Sequence, residues 1–260
     1  MKAPIYQVDA FASRVFAGNP AIVCCLPEWP DDPLLTAIAA EHNAVAAFLV
    51  ERDHDYEVRY FMASGELPFV GHASLAAAHV LLRILRPGPS HAALRRRTGA
   101  LSVARVNEHL LAIRLPVIQS RICSAPAGLA EALGVSFSEV WASDGQYFVL
   151  LDSETAVASV APNMQRLMQL DRDGVIVTAR GEHSDFVSRA FAPKEGLPED
   201  PVCGSAHLSL VPYWSERLGR TQHRALQLSP RGGELHCSLQ GEKVQLAGEC
   251  TLYMEGTIHI

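Results

Sequence analysis

Glu199-Asp200-Pro201-Val202-Cys203-Gly204-Ser205-Ala206-His207-Leu208-Ser209-Leu210-Val211-Pro212-Tyr213-Trp214 sets an acid, a proline, a thiol and a Gly-Ser pair just before an apolar run. No charged residue follows Ser205 until Glu216. A helix without a polar stripe has no face for water, so it is expected to be buried all round. Gly-Ser at its start leaves open backbone N–H groups, which suit a carboxylate or another anion. The same design occurs earlier, in Glu66-Leu67-Pro68-Phe69-Val70-Gly71-His72-Ala73-Ser74-Leu75, with a charge-free run reaching Arg83. The chain therefore reads as α+β, with two pseudo-symmetric lobes. Each lobe is a mixed β-sheet curled around one buried central helix, at 72–85 and at 205–218. Residues 1–118, joined by a final strand 251–260, form the first lobe, and 119–250 the second. Pro212 lies inside the second helix and is expected to kink or loosen it, since it removes a backbone donor.

The flanking segments fit this plan. Asp32-Pro33 reads as an N-cap and first helical residue. Ala46 to Val50 reads as a strand, and Ala100–Arg105 with Leu110–Leu115 as a hairpin about Asn107-Glu108. Lys243 to Leu246 and Thr251 to Ile260 read as two separate strands. This order disfavours the regular strand–helix alternation of a Rossmann sheet or a (β/α)₈ barrel. Neither Gly-x-Gly-x-x-Gly nor a Walker loop occurs, so no nucleotide is indicated.

Composition narrows the function further. The chain has 260 residues, 48% of them apolar, and a net charge of −6. That charge argues against nucleic acid and anionic membranes as partners. Arg95-Arg96-Arg97 is the only basic run and reads as a solvated strand end or loop. No apolar stretch reaches transmembrane length, and Ile5 to Phe11 reads as a strand, not a signal peptide. Six cysteines are scattered without a Cys-x-x-Cys pair, which disfavours zinc and suits a reduced, cytoplasmic protein. His79 and His207 read as hydrogen-bonded core histidines.

Several blocks together resemble the PhzF-like phenazine-biosynthesis isomerase family. They are Asp9-Ala10-Phe11, Gly18-Asn19-Pro20, Gly65-Glu66-Leu67-Pro68-Phe69-Val70-Gly71-His72, Ser188-Arg189-Ala190-Phe191, Glu199 to Ala206, and Ser229-Pro230-Arg231-Gly232-Gly233. The resemblance implies a diaminopimelate-epimerase-like fold, no metal or organic cofactor, and a homodimer. It also implies proton transfer within a small carboxylate-bearing substrate. By that resemblance Asp200 and His72 are ionisable site residues, and Gly71, Gly204 and Ser205 are carboxylate-binding helix starts. Asn19 would border the pocket. The family's shuttling glutamate is absent: by two ways of counting, Val45 or Ala46 stands there.

Cys203 is a third catalytic candidate, because a thiol at a helix N-terminus is expected to be shifted toward thiolate. The related cofactor-independent amino-acid racemases use two thiols, one before each helix start; here Val70 stands at the second place, which disfavours a two-thiol racemase. Three readings follow. The first is a cofactor-independent isomerase using His72 and Asp200. The second is an altered or inactive paralogue that only binds a small carboxylate. The third is a single-thiol enzyme using Cys203. Glu66 is expected to brace its own turn and not to replace the missing glutamate.

Overall fold

The computed structural model describes residues 1–53 and 55–260. The chain forms two compact units, Met1–Arg114 with Ala247–Ile260, and Leu115–Leu246.

The first unit runs β1 (Lys2–Ala10), β2 (Asn19–Leu26), α1 (Asp32–Glu41), β3 (Ala46–Arg52), β4 (Asp55–Met62), β5 (Gly65–Leu67) and α2 (Gly71–His79). It continues through β6 (His91–Arg96), β7 (Gly99–Arg105) and β8 (Leu110–Pro116). Parallel neighbours need a crossover connection, and each parallel pair has one. The α1 crossover joins β2 to β3, and α2 lies between β4 and β6. All other strand pairs described in this unit are antiparallel. Helix α1 is capped by Asp31, whose carboxylate accepts from Leu34 N–H at 3.3 Å. The cap thus lies one residue before the expected Asp32, and Asp32 sits in the first turn, where its charge suits the helix dipole.

Helix α2 has no wet face. Every residue from Ala73 to Leu82 is buried, as its lack of charge requires. It packs on β1, β2 and β3. Its last turns, Val80–Leu85, widen into a π-helix. There the Arg105 guanidinium donates to Leu82 O at 2.6 Å and Arg86 N–H to Leu81 O at 2.8 Å, so these carbonyls are not orphaned.

The second unit contains β9 (Arg121–Ile122), α3 (Leu129–Leu133), β10 (Glu139–Ala142), β11 (Gln146–Leu150), α4 (Glu154–Ser159) and α5 (Met164–Leu167). It continues with β12 (Gly174–Arg180), β13 (Phe186–Ala192), β14 (Leu197–Asp200), α6 (Gly204–Leu218), β15 (Gln222–Gln227) and β16 (Gly233–Gln240). The parallel pairs are β11–β12, crossed by α4 and α5, and β13–β15, crossed by α6. Ala206–Val211 and Tyr213–Ser215 of α6 are buried; Ser205 at its start is exposed, and exposure resumes only at Glu216. Contrary to expectation, α6 is one unbroken helix through Pro212. Pro212 cannot bond the Leu208 carbonyl, so that group is free. Ile118 N–H donates to it at 3.2 Å, which satisfies the acceptor without breaking the helix.

The two C-terminal strands expected from the sequence are one strand, β17 (Lys243–His259). Within the first unit it pairs antiparallel with β1, from Ala10↔Cys250 to Lys2↔His259, across one irregularity at Gln7/Val8. A bulge there lets a long strand keep pairing while it bends.

The turn between β1 and β2 is tight. Phe11 and Phe16 hold positive φ values of 61° and 67°, and Asp9 accepts from Phe16 N–H at 2.9 Å. Gly18 also has positive φ, and a Cβ on it would lie 2.2 Å from Ala10 O. Gly18→Ala is expected to cost at least about 2 kcal/mol, from left-handed strain and the clash together. A denaturant titration with an unchanged midpoint would contradict this.

Candidate active site

The residues singled out by sequence fall in both units. Asn19, Gly71 and His72 belong to the first. Asp200, Cys203, Gly204 and Ser205 belong to the second.

In the first unit, Val70 is the extended residue before α2 and supplies no side-chain cap. Its carbonyl accepts from Ser74 N–H at 3.0 Å and Ser74 Oγ at 2.7 Å, and Ser74 Oγ lies 2.6 Å from Tyr60 Oη. The helix start is thus held from inside, while Gly71 and His72 stay only partly buried. His72 Nε2 is buried without a hydrogen-bond partner among the described residues. Burial pushes its pKa from 6.5 down to about 4, so the imidazole is neutral at pH 7. Asn19 opens β2 opposite Ala10 and is buried, just after the tight turn at Gly18.

The β3 register sets the two positions counted for the missing glutamate on opposite faces. Ala46, Phe48 and Val50 share a core cluster with Leu35, Ile38 and Ala39 of α1, and Ala44 packs on it. Strand residues alternate faces, so Val45, Ala47 and Leu49 point to the opposite side. Ala46 is fully buried against α1, and Val45, just before β3, falls on the other face by this alternation. Glu66 stays at its turn. It forks onto Arg59 at 2.8 and 2.7 Å and also pairs with Arg97. This holds its carboxyl below the usual range.

In the second unit, Asp200 ends β14 opposite Ala190. Glu199, next to it, forks onto Arg189 at 2.7 and 2.8 Å. Cys203 is the extended residue before α6, and its Sγ lies 3.2 Å from Ser205 Oγ. The thiol was expected to be shifted toward thiolate, and it is not. Burial pushes its pKa far up, and the charge of Asp200 pushes the same way. The Ser205 hydroxyl only partly offsets this. Desolvation outweighs the helix N-terminus here, so Cys203 is a neutral thiol at pH 7.

Sequence reasoning missed two residues. Gln227 donates from Nε2 to Asp200 O at 2.7 Å and accepts from Cys203 N–H through Oε1 at 2.8 Å. Ser229 Oγ donates to Pro201 O at 2.7 Å. Only the Ser229-Pro230-Arg231 block hinted at this, and it did not reach Gln227. A cavity of about 920 Å³ in this unit is lined by Ser205, Gln119, Arg121, Cys123 and Asp173 among others. Among the described residues, no three of His, Cys, Asp and Glu converge as metal ligands would, and no helix is long and apolar enough to cross a membrane.

The sequence profile of the phenazine biosynthesis-like (PhzC-PhzF) family matches residues 8–256. The chain belongs to this family. The PhzF-like assignment is supported by a relative in Pseudomonas aeruginosa, described as "uncharacterized isomerase PA2770", that is 46% identical over the full length of both chains. A crystal structure of a PhzF family protein from Enterococcus faecalis superposes with TM-score 0.96 at 38% identity, covering 100% of both chains. A predicted epimerase from Pseudomonas aeruginosa superposes with TM-score 0.72 at 22% identity, covering 98% of this chain and 99% of its own. That likeness is one of fold.

Burial of histidines in this PhzF-like protein has a consequence for acid stability. His207 donates Nδ1–H to Cys203 O at 2.8 Å, which leaves Nε2 bare, with no partner among the described residues. His79, expected as a core histidine, is buried, and its Nδ1 has no partner among the described residues. His72, His79 and His207 all have pKa values lowered from 6.5 to about 4 by burial. The unfolded chain takes up these protons near 6.5 and the folded chain only near 4. Between those values the unfolded state binds more protons, so stability rises with pH and falls on acidification. The melting temperature is expected to drop steadily as pH goes from 6.5 to 4. A flat profile in thermal melts across that window would contradict the buried, neutral assignment.

Proposed function

We propose that this protein is a cofactor-independent isomerase that moves a proton within a small carboxylate-bearing metabolite. The observation that carries the reading is the state of the two helix starts. Val70 and Cys203 supply no side-chain cap, so α2 and α6 both begin with N–H groups that a carboxylate can use. In this reading Gly71 in the first unit, and Gly204 and Ser205 in the second, are carboxylate-binding helix starts, and Asn19 borders a pocket in the first unit. His72, neutral at pH 7, and Asp200 are the two ionisable residues that carry the proton. The two units are versions of one design, each folded around its own charge-free helix. The reading further includes a cytoplasmic homodimer without metal or organic cofactor, the dimer being checked by sedimentation.

A second reading is favoured by Val45, which gives the face opposite α1 an alkyl group and no carboxylate. It is a paralogue that binds a carboxylate without chemistry. The single-thiol enzyme is disfavoured by the neutral, buried Cys203. The test is solvent deuterium exchange into a panel of small carboxylates, with binding measured in parallel. Exchange that survives Cys203→Ser and is lost in Asp200→Asn and His72→Ala supports the isomerase. Binding without exchange supports the paralogue. Loss confined to Cys203→Ser would revive the thiol enzyme.

A further inference from the structure

The two units place equivalent residues beside their helix starts but use them differently. In each, an arginine on the middle strand forks onto the glutamate before the helix: Arg59 onto Glu66, and Arg189 onto Glu199. In the second unit the residue before that arginine, Ser188, pairs in parallel with Gln227. In the first unit Glu57 pairs in parallel with Arg95, so one step further sets Val58, the residue before Arg59, against Arg96. Arg96 is therefore the counterpart of Gln227.

Arg96 does not grip the chain. Its guanidinium lies over the Phe69 ring at 4.9 Å, and its Nε is buried without a partner among the described residues. It is thus half-buried at the end of β6, while Arg95 and Arg97 on either side are exposed as expected. Gln227 is 1% exposed and spends both ends of its amide on the segment before α6. The first unit holds its helix start differently, through Ser74 and Tyr60 at the Val70 carbonyl, so a glutamine clamp is not a requirement of the fold. A buried amide satisfied only by Asp200 O and Cys203 N–H then has a local purpose.

We propose that Gln227 is a positioning residue that locks the Asp200–Cys203 segment and occupies the Cys203 N–H. That leaves the N–H groups of Gly204 and Ser205, which have no partner among the described residues, as the donors offered to a ligand carboxylate. This rests on the isomerase reading for its purpose, but the clamp itself is testable without a substrate. The geometry requires one donor facing the Asp200 carbonyl and one acceptor facing the Cys203 amide. Glutamine supplies both, as does a protonated carboxylic acid; a carboxylate supplies only acceptors.

The experiment uses Gln227→Leu and Gln227→Glu in the full chain. Iodoacetamide labelling is mapped by peptide, and amide hydrogen exchange is followed over the peptide holding Asp200 to Ala206. In Gln227→Leu, labelling of Cys203 at pH 8 is expected to rise at least tenfold. Cys237, buried in the same unit, should stay protected. In Gln227→Glu, amide protection of the segment should be lost at pH 8 and return toward the parent's at pH 5, after correction for intrinsic exchange. A purely space-filling residue would show no such rescue. Unchanged Cys203 labelling, release of Cys203 and Cys237 together, or loss of protection at both pH values would overturn the proposal. With a substrate in hand, the exchange rate of Gln227→Glu should recover on acidification relative to the parent. If the segment loosens as described but no carboxylate ever exchanges, the clamp stands and the isomerase reading falls.

Discussion

His72→Ala and Asp200→Asn are each expected to lower proton exchange into a bound carboxylate by roughly 10²–10⁴-fold, the usual contribution of a positioned acid or base. Both substitutions remove an ionisable group and add no bulk, so binding should change far less than rate. The pH dependence makes the test sharper. Burial holds His72 at about 4, well under its ordinary 6.5. A base must be deprotonated to act, so the acidic limb of the rate profile should fall with a midpoint near 4, not near 6.5. The double variant should lose little more than the worse single one, because residues acting as a unit are not additive. Single variants that keep parental exchange rates would remove His72 and Asp200 from the mechanism.

Arg189→Met is expected to be the most destabilising of the substitutions considered. Arg189 forks onto Glu199 and also donates to Val160 O at 2.7 Å and Ala158 O at 3.1 Å, at the end of α4. The two charged side chains are only 11% and 16% exposed. Removing one partner leaves Glu199 without its counterion and the α4 carbonyls without a donor. Breaking a buried pair in this way costs about 3–5 kcal/mol. For a chain of this size that corresponds to a fall in melting temperature of roughly 10 °C. Arg189→Met with Glu199→Leu should recover part of the loss, since a buried pair can be replaced by apolar groups at small net cost. A double variant as unstable as the single one would point to the α4 carbonyls as the larger share.

The parts of this protein governed by local chemistry were readable from its residues. A run without charge from Ala73 to Leu82 has to be buried, and it is. Glu66 beside a Gly-turn finds its arginine within the same hairpin. What sequence hid depends on strand phase and on distant contacts. Counting could not choose between Val45 and Ala46, because one residue of phase turns a strand side chain to the other face. The Cys203 thiol looked acidic from its helix position alone, but how deeply it is covered is set by the whole second unit. Gln227 looked like any strand residue, since the groups it holds lie far away in sequence. Pro212 promised a kink because nothing nearby showed that Ile118 would take the Leu208 carbonyl.

The β17 pairing also sets an order of assembly at the ribosome. The first unit takes its strand partner for β1 from residues beyond Ala247, whereas the second unit is contiguous from Leu115 to Leu246. The N-terminal residues emerge first, yet β1 waits for that partner on the order of ten seconds at ordinary synthesis rates. Until then the β1 backbone on that side is an unpaired edge able to recruit a strand from another nascent chain. The later-made unit can complete its hydrogen bonding first, and the earlier one is the part for which a chaperone would matter.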